Sequence, residues 1–226
     1  MEVRLPQSRH THTVINLHGR DSDAVEYARD FLESETSDER NLLDTFPGIR
    51  WVFPTAVRIP SKRFGVEMSQ WFDMWTTENP HEQNDDQMQD LGNSVATIKQ
   101  VICDEAEIIG LENLILCGIS QGAATAMRAL LDLDIRLCGF VGFSTWLPGC
   151  GLSLANIKRA QCTPVFLAHC RDDETIDVKY GKAMMAQLKD AAMAVTWRSY
   201  EDGGHWINEP QGIDDLVEFL TKIGVY

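Results

Sequence analysis

The sequence lacks any long hydrophobic segment, and its first residues lack the apolar core of a secretory leader. A membrane-spanning helix needs about 20 apolar residues in a row, so no transmembrane segment is expected. The end of the chain, Lys222-Ile223-Gly224-Val225-Tyr226, carries no lipidation or retention signal, and no glycine follows Met1 to accept a myristoyl group. These absences predict a cytoplasmic location.

Positive charge is also scarce. The chain has 20 lysines and arginines against 34 aspartates and glutamates, which gives a formal net charge of −14. Nucleic acids and anionic membrane surfaces repel a protein of this charge. We therefore expect no nucleic-acid partner and no simple electrostatic docking on a membrane.

The cysteines form no C-x-x-C pair and show no spacing typical of a zinc site. Cys117 and Cys138 lie in apolar runs, where cysteine behaves as a small buried side chain. This scatter favours a reduced intracellular compartment, and neither a metal site nor a cofactor is predicted. The six cysteines are Cys103, Cys117, Cys138, Cys150, Cys162 and Cys170.

The sequence does contain an apolar run that leads into a tight turn carrying Ser120, followed by an alanine-rich run. Gly118 and Gly122 flank the serine in the pattern Gly-x-Ser-x-Gly. On a sharp strand-to-helix turn such a serine projects its hydroxyl above the sheet, and the glycines remove Cβ atoms that would collide. The N–H of Gln121, at the start of the helix, is a candidate oxyanion donor. The alternative is a serine that only caps a helix.

Strand-like and helix-like segments alternate along the whole chain. This alternation predicts one α/β domain over residues 1–226, with a mostly parallel central sheet and helices on both faces. Strands are expected near residues 11–17, 49–53, 114–118, 137–143, 164–169 and 194–200. Helices are expected near residues 24–32, 83–109, 121–130, 178–189 and 213–221.

The segment between Pro54 and Pro80 is predicted to be long, irregular and rich in aromatic residues. Loops of this length commonly form lids or binding sites. For Trp71 the sequence leaves open the alternative that the ring fills the core. The predicted lining of an apolar substrate pocket is Phe64, Met68, Trp71 and Trp146.

A loop after the first long strand begins with His18-Gly19. It resembles the loop that supplies a second oxyanion donor in serine hydrolases of this kind. Gly19 lets the chain turn back toward the sheet, and the N–H of Arg20 becomes the second candidate donor. The alternative is a plain turn with a helix cap.

A serine hydroxyl needs a base to remove its proton as it attacks a carbonyl carbon. His205 follows Gly203-Gly204 after the last strand and is the predicted base, with a carboxylate to hold its other nitrogen. Asp172, Asp173 and Asp177 are candidates for that carboxylate, and all precede His205 in the order expected for an α/β-hydrolase. The histidines expected to be structural are His18, His81 and His169.

Seven short motifs are spread over nearly the whole chain. They are Leu17-His18-Gly19, Phe53-Pro54-Thr55-Ala56, Trp71-Phe72-Asp73, Gly118-Ile119-Ser120-Gln121-Gly122, Trp146-Leu147-Pro148, His169-Cys170-Arg171-Asp172-Asp173 and Gly204-His205. Together they resemble the phospholipase/carboxylesterase family of α/β-hydrolases, whose best-known members are acyl-protein thioesterases and lysophospholipases. The resemblance implies the α/β-hydrolase fold and selects Asp173 over Asp172 as the acid.

Two departures from the family pattern stand out. Arg20-Asp21-Ser22 replaces the family's L-G-D, and Cys170 replaces a glycine in the acid segment. Neither change removes a catalytic group. The resemblance therefore implies the reaction chemistry more directly than it implies the substrate.

The sequence thus predicts a metal-free serine hydrolase that cleaves ester or thioester bonds through an acyl-enzyme. Expected partners are small esters, acyl thioesters and acylated proteins, and a homodimer is an expected assembly. One alternative is a trans-acting thioesterase that releases or cyclises an acyl or polyketide chain from an acyl carrier protein. Another is a hydrolase fold used only to bind a ligand. The basic landing site expected for a carrier protein consists of Arg20, Arg58, Lys62 and Arg63.

Overall fold

The computed structural model describes residues 1–149, 154 and 157–226, so Cys150 lies outside the described residues. The strands are β1 (Glu2–Arg4), β2 (His12–Leu17), β3 (Ile49–Phe53), β4 (Arg58–Pro60), β5 (Glu67–Ser69), β6 (Leu114–Ile119), β7 (Gly139–Phe143), β8 (Val165–Cys170) and β9 (Val195–Tyr200). The α-helices are α1 (Ala24–Glu33), α2 (Leu42–Thr45), α3 (Asn84–Ile109), α4 (Ser120–Leu133), α5 (Val178–Asp190) and α6 (Gln211–Lys222).

Across the described chain, one sheet has the strand order β1-β3-β2-β6-β7-β8-β9. β1 pairs antiparallel with β3, and the other neighbouring strands of this sheet are parallel. β4 and β5 form a separate antiparallel hairpin. The predicted mostly parallel α/β architecture is confirmed. The parallel strands end at one edge of the sheet, where their following loops meet.

Helices cover both faces of the sheet. Successive side chains of a strand point to opposite faces. In β6, Leu114 and Leu116 accordingly lie in one apolar core and Ile115 and Cys117 in the other. Residues of α3, α4 and α5 complete the first core, and residues of α1 and α6 complete the second. The helices on both faces are therefore confirmed.

The long helix α3 follows the predicted apolar stripe. Leu91, Val95, Ile98 and Ile102 recur at three- and four-residue steps and are buried against the sheet. The helix ends at Ile109, and the next residue, Gly110, has a φ of 85°. Glycine adopts this backbone conformation without the steric cost of a Cβ atom, so it ends the helix.

The segment between Pro54 and Pro80 differs from its prediction. It contains the ordered β4–β5 hairpin over residues 58–69, where an irregular loop was expected. Each strand has only three residues, which is too short to give a periodic signal. The short elements β1 and α2 were not predicted for the same reason.

The single-domain organisation stays a prediction.

No described helix is both long and apolar enough to cross a bilayer.

The crossing of β6 and α4 depends on two glycines without room for a side chain. A Cβ atom at Gly118 would lie 2.7 Å from the backbone nitrogen of Ala123, and one at Gly122 would collide with the carbonyl oxygens of Leu17 and His18. These contacts are with backbone, which cannot move aside without disturbing β2 and β6. The loop after β2, which begins with His18-Gly19, and the turn that carries Ser120 are thereby held in close contact.

We predict that Gly122→Ala lowers the free energy of unfolding by at least about 2 kcal/mol, because the new methyl group has no free volume. Gly92→Ala is the matched control: Gly92 lies in α3, and a Cβ there meets no atom within 4 Å. This control should raise the free energy of unfolding by about 0.5–1 kcal/mol. Urea denaturation measures both. Equal effects of the two substitutions would contradict the close crossing.

Candidate active site

Ser120 lies at the turn between β6 and α4. Its φ is 54°, a left-handed conformation that costs a non-glycine residue on the order of 1–3 kcal/mol. The backbone carbonyl of Ser120 accepts a 2.8 Å hydrogen bond from Thr145 Oγ1, on the loop after β7. The predicted strand-serine-helix turn is present, so Ser120 is more than a residue that caps a helix from outside.

His205 lies on the loop after β9, next to the loop that follows β8. Its Nδ1 is 2.8 Å from Asp173 Oδ2. The side chain of Asp173 is fully buried, whereas that of His205 is about one quarter exposed. The carboxylate therefore holds one nitrogen of the imidazole and leaves the other free to face the cavity described below.

The carboxylate of Asp173 has several donors. Its Oδ1 accepts hydrogen bonds from the backbone N–H groups of Thr175 and Ile176, both at 2.9 Å. Its Oδ2 lies 3.1 Å from His169 Nε2. Burial alone would raise the pKa of Asp173, but the hydrogen bonds from His169, His205 and Ile176 outweigh burial and hold that pKa well below its usual range. The carboxylate is therefore ionised at neutral pH.

His169 was expected to be structural, and the structure gives it a defined task. Its Nε2 is 2.8 Å from the carbonyl oxygen of Ile176 and also close to Asp173 Oδ2. Both neighbours are acceptors, so Nε2 carries the proton. The four-residue step from His169 at the end of β8 to Asp173 was a signal in the sequence that could have indicated this contact.

The two other carboxylate candidates have different partners. Asp172 Oδ1 accepts a 2.9 Å hydrogen bond from the backbone N–H of Gly204, the residue before His205. Asp177 caps α5 by accepting from the N–H of Lys179. Asp173 is thus the candidate that contacts the imidazole, while Asp172 holds the glycine turn beside it.

His18 fixes the peptide that ends in the Arg20 N–H. Its Nε2 accepts a 3.0 Å hydrogen bond from the N–H of Ala56, so its proton resides on Nδ1. Nδ1 donates to the carbonyl oxygen of Gly19 at 2.7 Å. In a trans peptide the carbonyl and the following N–H point in opposite directions. The Arg20 N–H therefore points away from the His18 ring.

The side chain of Gln121 supports the same region from the other side. Its Oε1 accepts from the N–H of Trp71 and its Nε2 donates to the carbonyl oxygen of Phe72, both at 2.8 Å. Both polar atoms of the Gln121 side chain are therefore already hydrogen-bonded to buried backbone groups. Only its backbone N–H, at the first turn of α4, remains as a candidate donor to a ligand.

Ser120 and His205 line one cavity of about 290 Å³. Met68 also lines it, as predicted, and so does Arg20. Further lining residues that sequence reasoning did not identify come from scattered elements, so no local pattern marks them. They are Asp21, Ser22, Tyr27, Met74, Thr77, Ile119, Thr175 and Trp206.

Three of the predicted pocket residues do not line this cavity. Trp71 is 2% exposed, and its Nε1 donates to the carbonyl oxygen of His18 at 2.9 Å, so it supports the loop after β2 from the core. Trp146 is fully buried against Phe72. Phe64 is 54% exposed, and the Cζ atoms of Arg20 and Arg63 lie 5.4 Å and 5.3 Å from the centre of its ring. The prediction that these three side chains line the cavity of Ser120 was therefore wrong.

A larger cavity, of about 560 Å³, lies at the opposite edge of the sheet. Leu137, Pro164 and Val195, which begin or precede β7, β8 and β9, line it. The parallel strands place Ser120, Asp173 and His205 at their other ends. Size alone therefore does not identify the functional cavity, and the smaller one is the candidate active site.

A family model described as phospholipase/carboxylesterase matches residues 1–223 of the chain. The chain belongs to the phospholipase/carboxylesterase family. Acyl-protein thioesterase 1 of Cryptococcus neoformans is 28% identical over 96% of this chain and 94% of its own. Maize acyl-protein thioesterase 2 has a TM-score of 0.79 at 26% identity, covering 98% of this chain and 97% of its own.

Another solved structure has the same fold. That of Arabidopsis thaliana SOBER1 has a TM-score of 0.77 at 24% identity and covers 94% of this chain and 99% of its own. Membership of the phospholipase/carboxylesterase family also confirms the predicted enzyme class, a serine esterase or thioesterase.

In this phospholipase/carboxylesterase-family enzyme the neutral ring of His18 has a measurable consequence. Burial lowers the pKa of His18 from 6.5, against the effect of its hydrogen bond to Gly19. As the pH falls below about 6.5, His18 therefore binds a proton in the unfolded chain but stays neutral in the folded chain. The free energy of unfolding decreases as a result. Burial also lowers the pKa values of His12 and His81, which act in the same direction.

We predict that His18→Gln loses less free energy of unfolding than the wild type between pH 7 and pH 5. At pH 7 the variant should already be less stable by about 1–3 kcal/mol, because the Ala56 N–H and the Gly19 carbonyl lose a well-placed partner. Urea denaturation at pH 7, 6 and 5 measures both quantities. An unchanged pH dependence in His18→Gln would show that this ring does not contribute.

Proposed function

We propose that this chain hydrolyses carboxylic esters and thioesters, with Ser120 as nucleophile, His205 as general base and Asp173 as the group that orients His205. The observation that carries the proposal is the 2.8 Å hydrogen bond between Asp173 and a histidine that shares a cavity with Ser120. Such a histidine can present its Nε2 to the serine hydroxyl, because its Nδ1 is held by the carboxylate.

In the proposed mechanism, Ser120 Oγ attacks the carbonyl carbon as His205 Nε2 takes its proton. The imidazolium that forms is stabilised by the ionised carboxylate of Asp173. The same proton then passes to the leaving alcohol or thiol, and the acyl group stays on Ser120. Water then attacks the acyl-enzyme as His205 takes its proton. His205 returns that proton to Ser120 Oγ as the bond to the acyl group breaks and the carboxylic acid leaves.

The developing negative charge on the carbonyl oxygen needs fixed donors. The backbone N–H of Gln121, at the start of α4, is one proposed donor, and the partial positive charge of the helix end reinforces it. The N–H of Arg20 is the other, with its peptide oriented through the hydrogen bond between His18 and Gly19. Two such donors act without reorganisation because the core holds both loops.

The proposed substrate is an acyl ester or thioester with a small acyl group. The cavity of about 290 Å³ is at the lower end of the range for ligand pockets, and Met68, Met74 and Ile119 give it an apolar wall. Relatives named acyl-protein thioesterase support a substrate in which a thioester bond joins the acyl group to a protein, so that the protein thiol is the leaving group. Release from an acyl carrier protein, a homodimer and a cytoplasmic location stay predictions.

We predict that Ser120→Ala lowers kcat for p-nitrophenyl butyrate at least about 10³-fold. The free energy of unfolding should change by less than about 0.5 kcal/mol, because alanine meets the same backbone constraint as serine. Ser199→Ala is the matched control: the buried hydroxyl of Ser199, on β9, makes no hydrogen bond among the described residues. It should keep full activity. More than a tenth of wild-type kcat in Ser120→Ala would overturn the proposed nucleophile.

A further inference from the structure

The side chain of Arg20 leaves the oxyanion loop and reaches the β4–β5 hairpin. Its Nε donates to Gln70 Oε1 at 3.1 Å, and its Nη2 lies 3.5 Å from Ser61 Oγ and from Met68 Sδ. Its Cζ lies 5.4 Å from the centre of the Phe64 ring. All four neighbours are uncharged, so they hold the guanidinium in place without neutralising it.

The charge of Arg20 lacks a direct counter-ion. Among the described residues, no carboxylate forms an ion pair with it, and its Nη1 makes no hydrogen bond. The nearest opposite charges are Asp73 and Asp21. Asp73 accepts hydrogen bonds from the N–H of Lys62 and from Gln70, and Asp21 is exposed to solvent, which screens it. Arg20 is therefore a half-buried cation with unused donors.

The guanidinium contacts a residue that lines the cavity containing Ser120. Arg20 and Met68 both line that cavity, and Nη2 of Arg20 touches the Met68 sulfur. A guanidinium presents its N–H groups in a planar fork that matches the two oxygens of a carboxylate. Asp21 also lines this cavity, but its carboxylate is exposed to solvent and forms no ion pair with Arg20 among the described residues. A carboxylate that enters the cavity would therefore gain a partner in the Arg20 guanidinium.

Resting on the proposed esterase function, we infer that the Arg20 side chain is a specificity-determining cation for substrates that carry a carboxylate a few bonds from the scissile carbonyl. The chemical class is an ester or thioester with one free carboxylate, either on the acyl side, as in a half-ester of a dicarboxylic acid, or on the leaving group. The Arg20 backbone N–H donates to the oxygen of the scissile carbonyl. The side chain of the same residue binds the carboxylate at the far end of the substrate.

The experiment compares two substrates that differ only in charge: the mono-p-nitrophenyl ester of glutarate and its carboxamide analogue, p-nitrophenyl 4-carbamoylbutyrate. A second pair, 4-butyryloxybenzoate and 4-butyryloxybenzamide, places the same charge on the leaving group. The ratio of kcat/KM between acid and amide isolates the charge. Arg20→Gln should lower that ratio at least tenfold in one pair, through KM, whereas Arg20→Lys, which keeps the charge, should retain much of it.

Arg171→Gln is the matched control. It removes one positive charge at the same edge of the sheet, where exposed Arg171 contacts Glu201 rather than the cavity. Its acid-to-amide ratio should stay within twofold of the wild type. Ratios within twofold of the wild type in Arg20→Gln for both pairs, including an equal fall of acid and amide, would overturn the subsite and leave Arg20 as a clamp on the hairpin.

A wild-type measurement keeps the inference testable if Arg20→Gln does not fold. Glutarate should inhibit hydrolysis of the carboxamide ester at least tenfold more strongly than glutaramide does, and 0.5 M NaCl should reduce the difference. Equal inhibition would overturn the subsite. Failure of the proposed function has a separate signature, because Ser120→Ala would then still hydrolyse the carboxamide ester.

Discussion

The close crossing of β6 and α4 is the constraint on which the rest of this site depends. Gly118 and Gly122 let the first turn of α4 approach the carbonyl oxygens at the end of β2, so the turn that carries Ser120 lies against the loop that carries the proposed donor Arg20. The crossing also forces Ser120 into a left-handed conformation. The parallel sheet then brings the loops of β8 and β9, with Asp173 and His205, to the same edge.

A second layer of buried contacts holds that arrangement from below. Trp71 donates from its ring to the carbonyl of His18 and from its backbone to the side chain of Gln121. His18 in turn orients the peptide before Arg20, and His169 adds a donor to Asp173. The Gln121 side chain, the peptide before Arg20 and the carboxylate of Asp173 are therefore each held by a buried neighbour. This layer explains why the chain buries several polar groups at considerable desolvation cost.

The turn around Ser120, the alternation of the longer strands and helices, and the loop of His205 could be predicted from the sequence, because each is marked by a local pattern. It misplaced Trp71 and Trp146, since an aromatic ring in a long loop can equally line a cavity or fill the core, and only tertiary contacts decide. The hairpin of β4 and β5 was not predicted, because strands of three residues are too short to show a periodic pattern. The cavity wall of Tyr27 and Trp206 joins residues far apart in the chain, which no local pattern records.

The proposed chemistry requires Ser120 to be deprotonated by His205 beside two backbone donors. The most direct measurement is a crystal structure of the adduct with a fluorophosphonate that mimics the tetrahedral intermediate. We expect phosphorus bonded to Ser120 Oγ, with the phosphoryl oxygen about 2.7–3.1 Å from the N–H groups of Arg20 and Gln121. His205 should still be hydrogen-bonded to Asp173. Phosphorus on another residue, or a phosphoryl oxygen pointing away from both donors, would contradict the account.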